Sequence, residues 1–215
     1  MKSAYPITTL FVDIGGVLLN DGWDHAARKR AAKHFAIKWT EMEMRHGLTF
    51  ELHESGRLTF DNYLDLVIFH EKRAFTRTEF RNFMCEQSQP FPAMLGLVKK
   101  IKKLYSLKVV VVSNESRELN AYRIKKFKLG NFVDFFVSSC FVGLRKPDVE
   151  FFRLALDLSQ ARPEQVIYLE NTPMFIGIAE GLGIRSVLHT DYESTCAALA
   201  SIGLKQDKEG GSAKA

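Results

Sequence analysis

The chain predicts an α/β protein: a parallel sheet with helices on both faces and an inserted all-helical cap. Five short apolar runs, Thr8 to Val12, Leu107 to Val112, Phe135 to Ser139, Val166 to Leu169 and Ser186 to Leu188, are separated by helical stretches. Strands covered on both faces by crossover helices read this way, as continuous apolar runs instead of alternating ones. The interval between the first run and the second is far too long for one crossover helix, and it reads as helix throughout.

The first run follows Met1-Lys2-Ser3-Ala4-Tyr5-Pro6 without the apolar stretch of a signal peptide, and no run approaches the roughly 18 residues of a membrane span. The expectation is a cytoplasmic protein with no membrane partner. In the long interval, Asp24 to Ala36 is a basic amphipathic stretch, and Thr59 can cap a helix running to about Phe69. Thr76-Arg77-Thr78-Glu79 is a capping box for the helix that carries Phe80 and Phe83. Borders are expected near Asn20 and at Gln89-Pro90-Phe91-Pro92, where proline breaks the helix and returns the chain to the sheet. The expected division is a core of residues 1–19 and 90–204, a helical cap of 20–89 and a disordered tail of 205–215. Between Met94 and Leu104, Leu97, Val98 and Ile101 oppose Lys99, Lys100, Lys102 and Lys103 as a buried and a wet face.

With 215 residues and 46% apolar content, the chain can bury its own core. The net charge of +5 suits a cleft for an anionic small molecule as well as nucleic acid, but no recognition motif accompanies it, so no nucleic-acid partner is expected. Cys85, Cys140 and Cys196 are too scattered for a zinc site or a disulfide scaffold, which leaves them reduced and buried.

Chemistry-bearing residues cluster at the ends of the apolar runs, where open α/β sheets bind ligands. Asp13 precedes Gly15-Gly16, so it is presented at a sharp turn either as a nucleophile or as a turn cap. Ser113-Asn114 follows Val109 to Val112 and precedes a helix opened by Ser116, which makes an anion site or an ordinary cap. Lys146 precedes Pro147 at a helix start, where an ammonium can stabilise phosphoryl oxygens or lie in solvent. Glu170-Asn171 closes the run Val166 to Leu169 with hard oxygen ligands suited to Mg²⁺.

In order and placement these segments resemble the haloacid dehalogenase-like (HAD) hydrolase superfamily. Its first motif is similar to Phe11-Val12-Asp13-Ile14-Gly15-Gly16-Val17-Leu18, its second to Val112-Ser113-Asn114, its third to Lys146-Pro147 and its fourth to Tyr168-Leu169-Glu170-Asn171. The resemblance implies a Rossmannoid core, Mg²⁺ as cofactor and a phosphoaspartyl intermediate on Asp13. Asp13, Ser113 and Lys146 would be catalytic, and Ser113, Asn114 and Lys146 would bind a small phosphorylated substrate. Asp13, the Gly15 carbonyl, Glu170 and Asn171 would hold the metal.

Two positions depart from that pattern. The family's phosphatases mostly carry a second aspartate where Gly15 stands, and losing a positioned acid/base costs about 10²–10⁴ in rate. Slow turnover, a good leaving group or a borrowed proton carrier follows. Sugar-1-phosphate phosphatases among the relatives are similar in having Asp-x-Gly, which points to the sugar-phosphate class. Glu170-Asn171 replaces two aspartates and weakens the metal site. Two other readings remain: a non-catalytic binder of phosphorylated ligands, and a 2-haloacid dehalogenase, against which no clear halide-binding arginine and aromatic set stands near the first motif, the candidates Trp23, Arg28 and Trp39 reading as cap packing and a solvated basic face. For the missing proton carrier, the cap offers His25, His34, His46, His53, His70 and Asp24; His189 is expected to be structural.

Overall fold

Strand β1 (Thr9–Val12) forms the middle of the sheet, with all four of its residues buried and only Thr9 polar among them. The computed structural model describes residues 5–207. Beside β1 lie β2 (Lys108–Ser113) and β4 (Val166–Glu170), with β3 (Phe135–Ser138) and β5 (Arg185–Leu188) at the edges. The order is β3-β2-β1-β4-β5 and every pair is parallel. The fold is therefore α/β and Rossmann-like, with every strand end within one residue of that the apolar runs predict.

Successive strand residues point to opposite faces, and both faces are covered. Leu10, Val12, Val109, Val111, Ile167 and Leu169 pack on helix α5 (Pro92–Tyr105) and α10 (Tyr192–Ser201). Phe11, Val110, Val112 and Tyr168 pack on α8 (Val149–Ser159) and α9 (Pro173–Gly181). At about 1.5–3 kcal/mol for each large apolar side chain withdrawn from water, these two layers dominate the stability of the sheet. Two shorter elements complete this half, α6 (Arg117–Lys126) and α7 (Ser139–Val142).

Between β1 and α5 the chain makes four helices, α1 (His25–His34), α2 (Trp39–Glu54), α3 (Phe60–Val67) and α4 (Arg77–Glu86). Asp24 caps α1 at the Ala27 amide, Thr59 caps α3 at Asn62, and Thr76 with Glu79 closes a complete capping box on α4. The four share their own apolar centre of Trp23, Met42, Phe60, Tyr63, Leu64 and Phe80. The segment leading in and the segment leading out are stitched together. Asn20 donates from its amide to the Gln89 carbonyl at 2.9 Å and from Nδ2 to Gln87 at 2.8 Å, and accepts the Gln89 amide at 2.9 Å.

Of the tail expected to be disordered, residues 208–215 lie outside the described residues. Lys205–Asp207 are placed instead by docking: Gln206 Nε2 donates to the Tyr192 hydroxyl at 3.2 Å and Lys100 pairs with Asp207 at 3.0 Å. All three cysteines are free, but only Cys140 is buried; Cys85 and Cys196 are partly open. Among the described residues, no helix is long and apolar enough to cross a membrane.

Candidate active site

Asp13 leaves the carboxyl end of β1 with its amide still donating to the Leu169 carbonyl at 3.0 Å, which fixes the backbone from which its carboxylate projects. Oδ1 accepts the Ile14 amide at 2.8 Å and Oδ2 lies 2.9 Å from the Lys146 ammonium. Ser113, the last residue of β2, lies beside the same carboxyl, and its hydroxyl favours the charged form. The neighbouring Asn114 does something else with its side chain. It accepts the Lys146 amide and donates to the Lys146 carbonyl, both at 2.9 Å, so it clamps the loop that delivers the lysine.

The Lys146 ammonium is 1% exposed and bridges two carboxylates, Asp13 at 2.9 Å and Glu170 at 2.7 Å, with the Tyr168 hydroxyl at 3.3 Å. Glu170 is wholly buried at the end of β4. Its Oε1 accepts the amides of Asn171 and Thr172, both at 2.9 Å, and its Oε2 accepts Lys146 and the Tyr168 hydroxyl. Four bonds occupy the carboxylate fully. Burial pushes the Asp13 carboxyl up to about 6 against the pull of Lys146. For Lys146, burial opposes the charge, but Asp13 and Glu170 outweigh it and the ammonium is raised above its usual value.

These side chains open onto a cavity of about 350 Å³ lined by Asp13, Gly15, Ser113, Asn114, Lys146 and Asn171 among others. Gly16 has no room for a side chain: its φ is +70°, and a Cβ there would meet Asn171 Nδ2 at 2.0 Å. Of the four residues expected to hold a metal, Asp13, Gly15 and Asn171 line the cavity and Glu170 does not. No group of three or more His, Cys, Asp or Glu suited to a metal occurs among the described residues. One carboxylate with neutral oxygens around one cavity nonetheless fits Mg²⁺, which keeps several waters.

The residues proposed as proton carriers are mostly committed elsewhere. His46 and His53 line the cavity, but burial lowers both, His46 to about 4, and His46 Nδ1 is bonded to the Tyr63 hydroxyl at 2.9 Å. His25 pairs with Glu43, His70 with Glu41, and His34 stacks on Phe83. Asp24 accepts the Ala27 amide at 2.6 Å as the α1 cap. His189 is bonded to Thr195 at 2.7 Å beyond β5. The halide-site candidates are likewise occupied: Arg28 grips Glu43 through Nε and Nη2 at 2.8 and 2.7 Å, and Trp23 Nε1 donates to Tyr63 at 2.9 Å.

Three cavity features have no counterpart in the sequence reading. Glu54 pairs with Arg145 at 2.8 Å, Glu115 pairs with the buried Arg123, and Asp21 stands unpaired at the mouth. Desolvation, then the charge of Asp24, raises the Asp21 carboxyl. A polar Asn20-Asp21-Gly22 turn next to the expected cap border was the available signal for Asp21.

A parallel sheet that gathers a carboxylate, a hydroxyl and an ammonium at its carboxyl edge, beside a helical insertion, defines a Rossmann-like α/β protein with an aspartate at the centre of its cleft. The chain belongs to the haloacid dehalogenase-like hydrolases, whose family model matches residues 7–180. Bifunctional epoxide hydrolase 2 of Rattus norvegicus is 24% identical over 187 residues, 79% of this chain and 33% of that protein. The chain thus spans about a third or less of the curated relatives it matches. Among solved structures, a HAD family enzyme of Bacteroides thetaiotaomicron in complex with magnesium and inorganic phosphate superposes with a TM-score of 0.74 at 18% identity, covering 85% of this chain and 93% of that one. An L-2-haloacid dehalogenase superposes with a TM-score of 0.64 at 16% identity, covering 86% and 87%.

Proposed function

We propose that this hydrolase is a Mg²⁺-dependent phosphatase of small phosphorylated metabolites, of the sugar-phosphate class, working through an aspartyl-phosphate on Asp13. The observation that carries the reading is the buried Lys146 ammonium held 2.9 Å from Asp13 beside Ser113. A fixed cation and a hydroxyl next to an attackable carboxylate suit a phosphoryl group whose oxygens gain charge during transfer. The committed guanidinium of Arg28 removes the halide-site candidate, so halide release is an outcome to test and not the favoured reading.

Asp13 attacks phosphorus, and Ser113 and Lys146 hold the phosphoryl oxygens in line. Glu170 keeps Lys146 charged and aimed, and Asn114 fixes its backbone. Mg²⁺, held by Asp13, the Gly15 carbonyl and Asn171, would neutralise phosphate charge as the anion approaches Asp13. The α1–α4 insertion covers the cleft as a cap and selects the substrate.

A phosphate-ester panel with and without Mg²⁺, run beside Asp13→Asn, tests this. Phosphate release that needs Mg²⁺ and vanishes in Asp13→Asn is expected. Release of halide from a 2-haloacid, or ester binding without turnover, would overturn it.

A further inference from the structure

We infer that Asp21 is a catalytic residue of this site, the carboxyl that protonates the leaving oxygen and then activates water, in place of the side chain that Gly15 lacks. The inference rests on the phosphatase reading above.

The two positions share one space. A Cβ built on Gly15 would lie 2.8 Å from Asp21 Oδ1, so the Asp21 carboxylate stands within reach of where a residue-15 carboxylate would project. Gly15 has no positive φ and the three atoms nearest to a Cβ there all belong to Asp21, so the glycine leaves the space that the aspartate fills. The chain brings Asp21 there by a tight return: the amides of Leu18 and Leu19 both donate to the Ile14 carbonyl, at 3.0 and 2.9 Å, and Gly15 bridges Leu19.

Asp21 is also the acid that nothing else claims. Around the same cavity, Asp24 caps α1, Glu54 holds Arg145 and Glu115 holds Arg123. The Asp21 carboxylate is exposed to the cleft and makes no hydrogen bond or ion pair with the described residues. Its backbone is nonetheless held between Asn20, hydrogen-bonded to Gln87 and Gln89, and Gly22, where an added Cβ would meet Ser88 Oγ at 3.2 Å and Arg123 Nη2 at 3.3 Å. A fixed backbone with an uncommitted carboxyl is what a proton carrier needs.

In the first step the Asp13 oxygen bonds to phosphorus, the phosphorus–oxygen bond to the leaving group breaks, and the Asp21 proton passes to that oxygen. In the second, a water oxygen attacks the phosphorus, its proton passes to Asp21, and the bond to Asp13 breaks to release inorganic phosphate. Asp21 ends protonated, as it began.

Asp21→Asn keeps shape and removes only the proton carrier. With an alkyl phosphate, kcat/KM should fall by about 10²–10⁴. With p-nitrophenyl phosphate, whose phenolate leaves unaided, kcat/KM should be largely kept, while one equivalent is released in a burst and Asp13 accumulates phosphate seen by mass spectrometry. Gly15→Asp combined with Asp21→Ala should recover much of the alkyl-phosphate rate lost in Asp21→Ala alone. Equal alkyl-phosphate rates in Asp21→Asn and wild type, or no burst, would overturn the role of Asp21 while leaving Asp13 as nucleophile. Wild-type protein that turns over no phosphate ester would overturn both.

Discussion

Lys146 sits where one residue decides both chemistry and stability. Its ammonium is buried between two carboxylates, and the attraction offsets a desolvation cost that no exposed lysine meets. Lys146→Met should abolish phosphate-ester turnover and, by leaving Glu170 charged and unpaired where water cannot reach it, lower unfolding free energy by about 3–5 kcal/mol. Adding Glu170→Gln should return part of that loss in urea denaturation without restoring turnover. Strict additivity of the two changes would mean that the pair is not coupled. Much at this scale was legible in the sequence: Asp13, Ser113 and Lys146 each follow or precede a recognisable run, and the structure brings them together. What was not legible is how Asn114 and Glu170 divide their atoms. Asn114 spends its amide on the Lys146 backbone, and Glu170 spends all four acceptor sites on its neighbours.

At the scale of elements, buried parallel strands announce themselves as apolar runs, and α3 and α4 announce themselves by Thr59 and by the Thr76–Glu79 box. Helix α2 carries no such signal. Lys38 gives it no side-chain cap, and Met44, Leu48 and Leu52 are exposed, so its apolar pattern does not report a buried face. The position of Asp21 was hidden for a different reason: it depends on a turn from Ile14 to Leu19 folding back on itself, which spacing does not encode. That turn is held from α6. Arg123 is buried, pairs with Glu115 and donates to the Asn20 carbonyl. Burial, against the pull of Arg123, pushes the Glu115 carboxyl up to about 7 from 4.5. Between those values the folded chain binds a proton that the unfolded chain has lost, so this group removes stability as pH rises from about 4.5 through 7. Arg123→Leu should widen that window upward: its urea midpoint should fall further below that of wild type at pH 8 than at pH 5.5. An equal deficit at both values would contradict the pairing.

For the molecule as a whole, Asp13, Ser113 and Lys146 come from the sheet half and Asp21 with much of the remaining cavity wall from the helical insertion, the two joined where Asn20 and Gln89 are hydrogen-bonded. On the proposed reading, such a division keeps the nucleophile on the sheet and leaves choice of substrate to the insertion. The most direct measurement is therefore on the aspartate itself. Protein mixed with Mg²⁺ and acetyl phosphate, quenched in acid and digested, should carry one phosphoryl group on the peptide containing Asp13, and none after Asp13→Asn. A phosphoryl group on any other residue, or turnover by Asp13→Asn equal to wild type, would contradict the account.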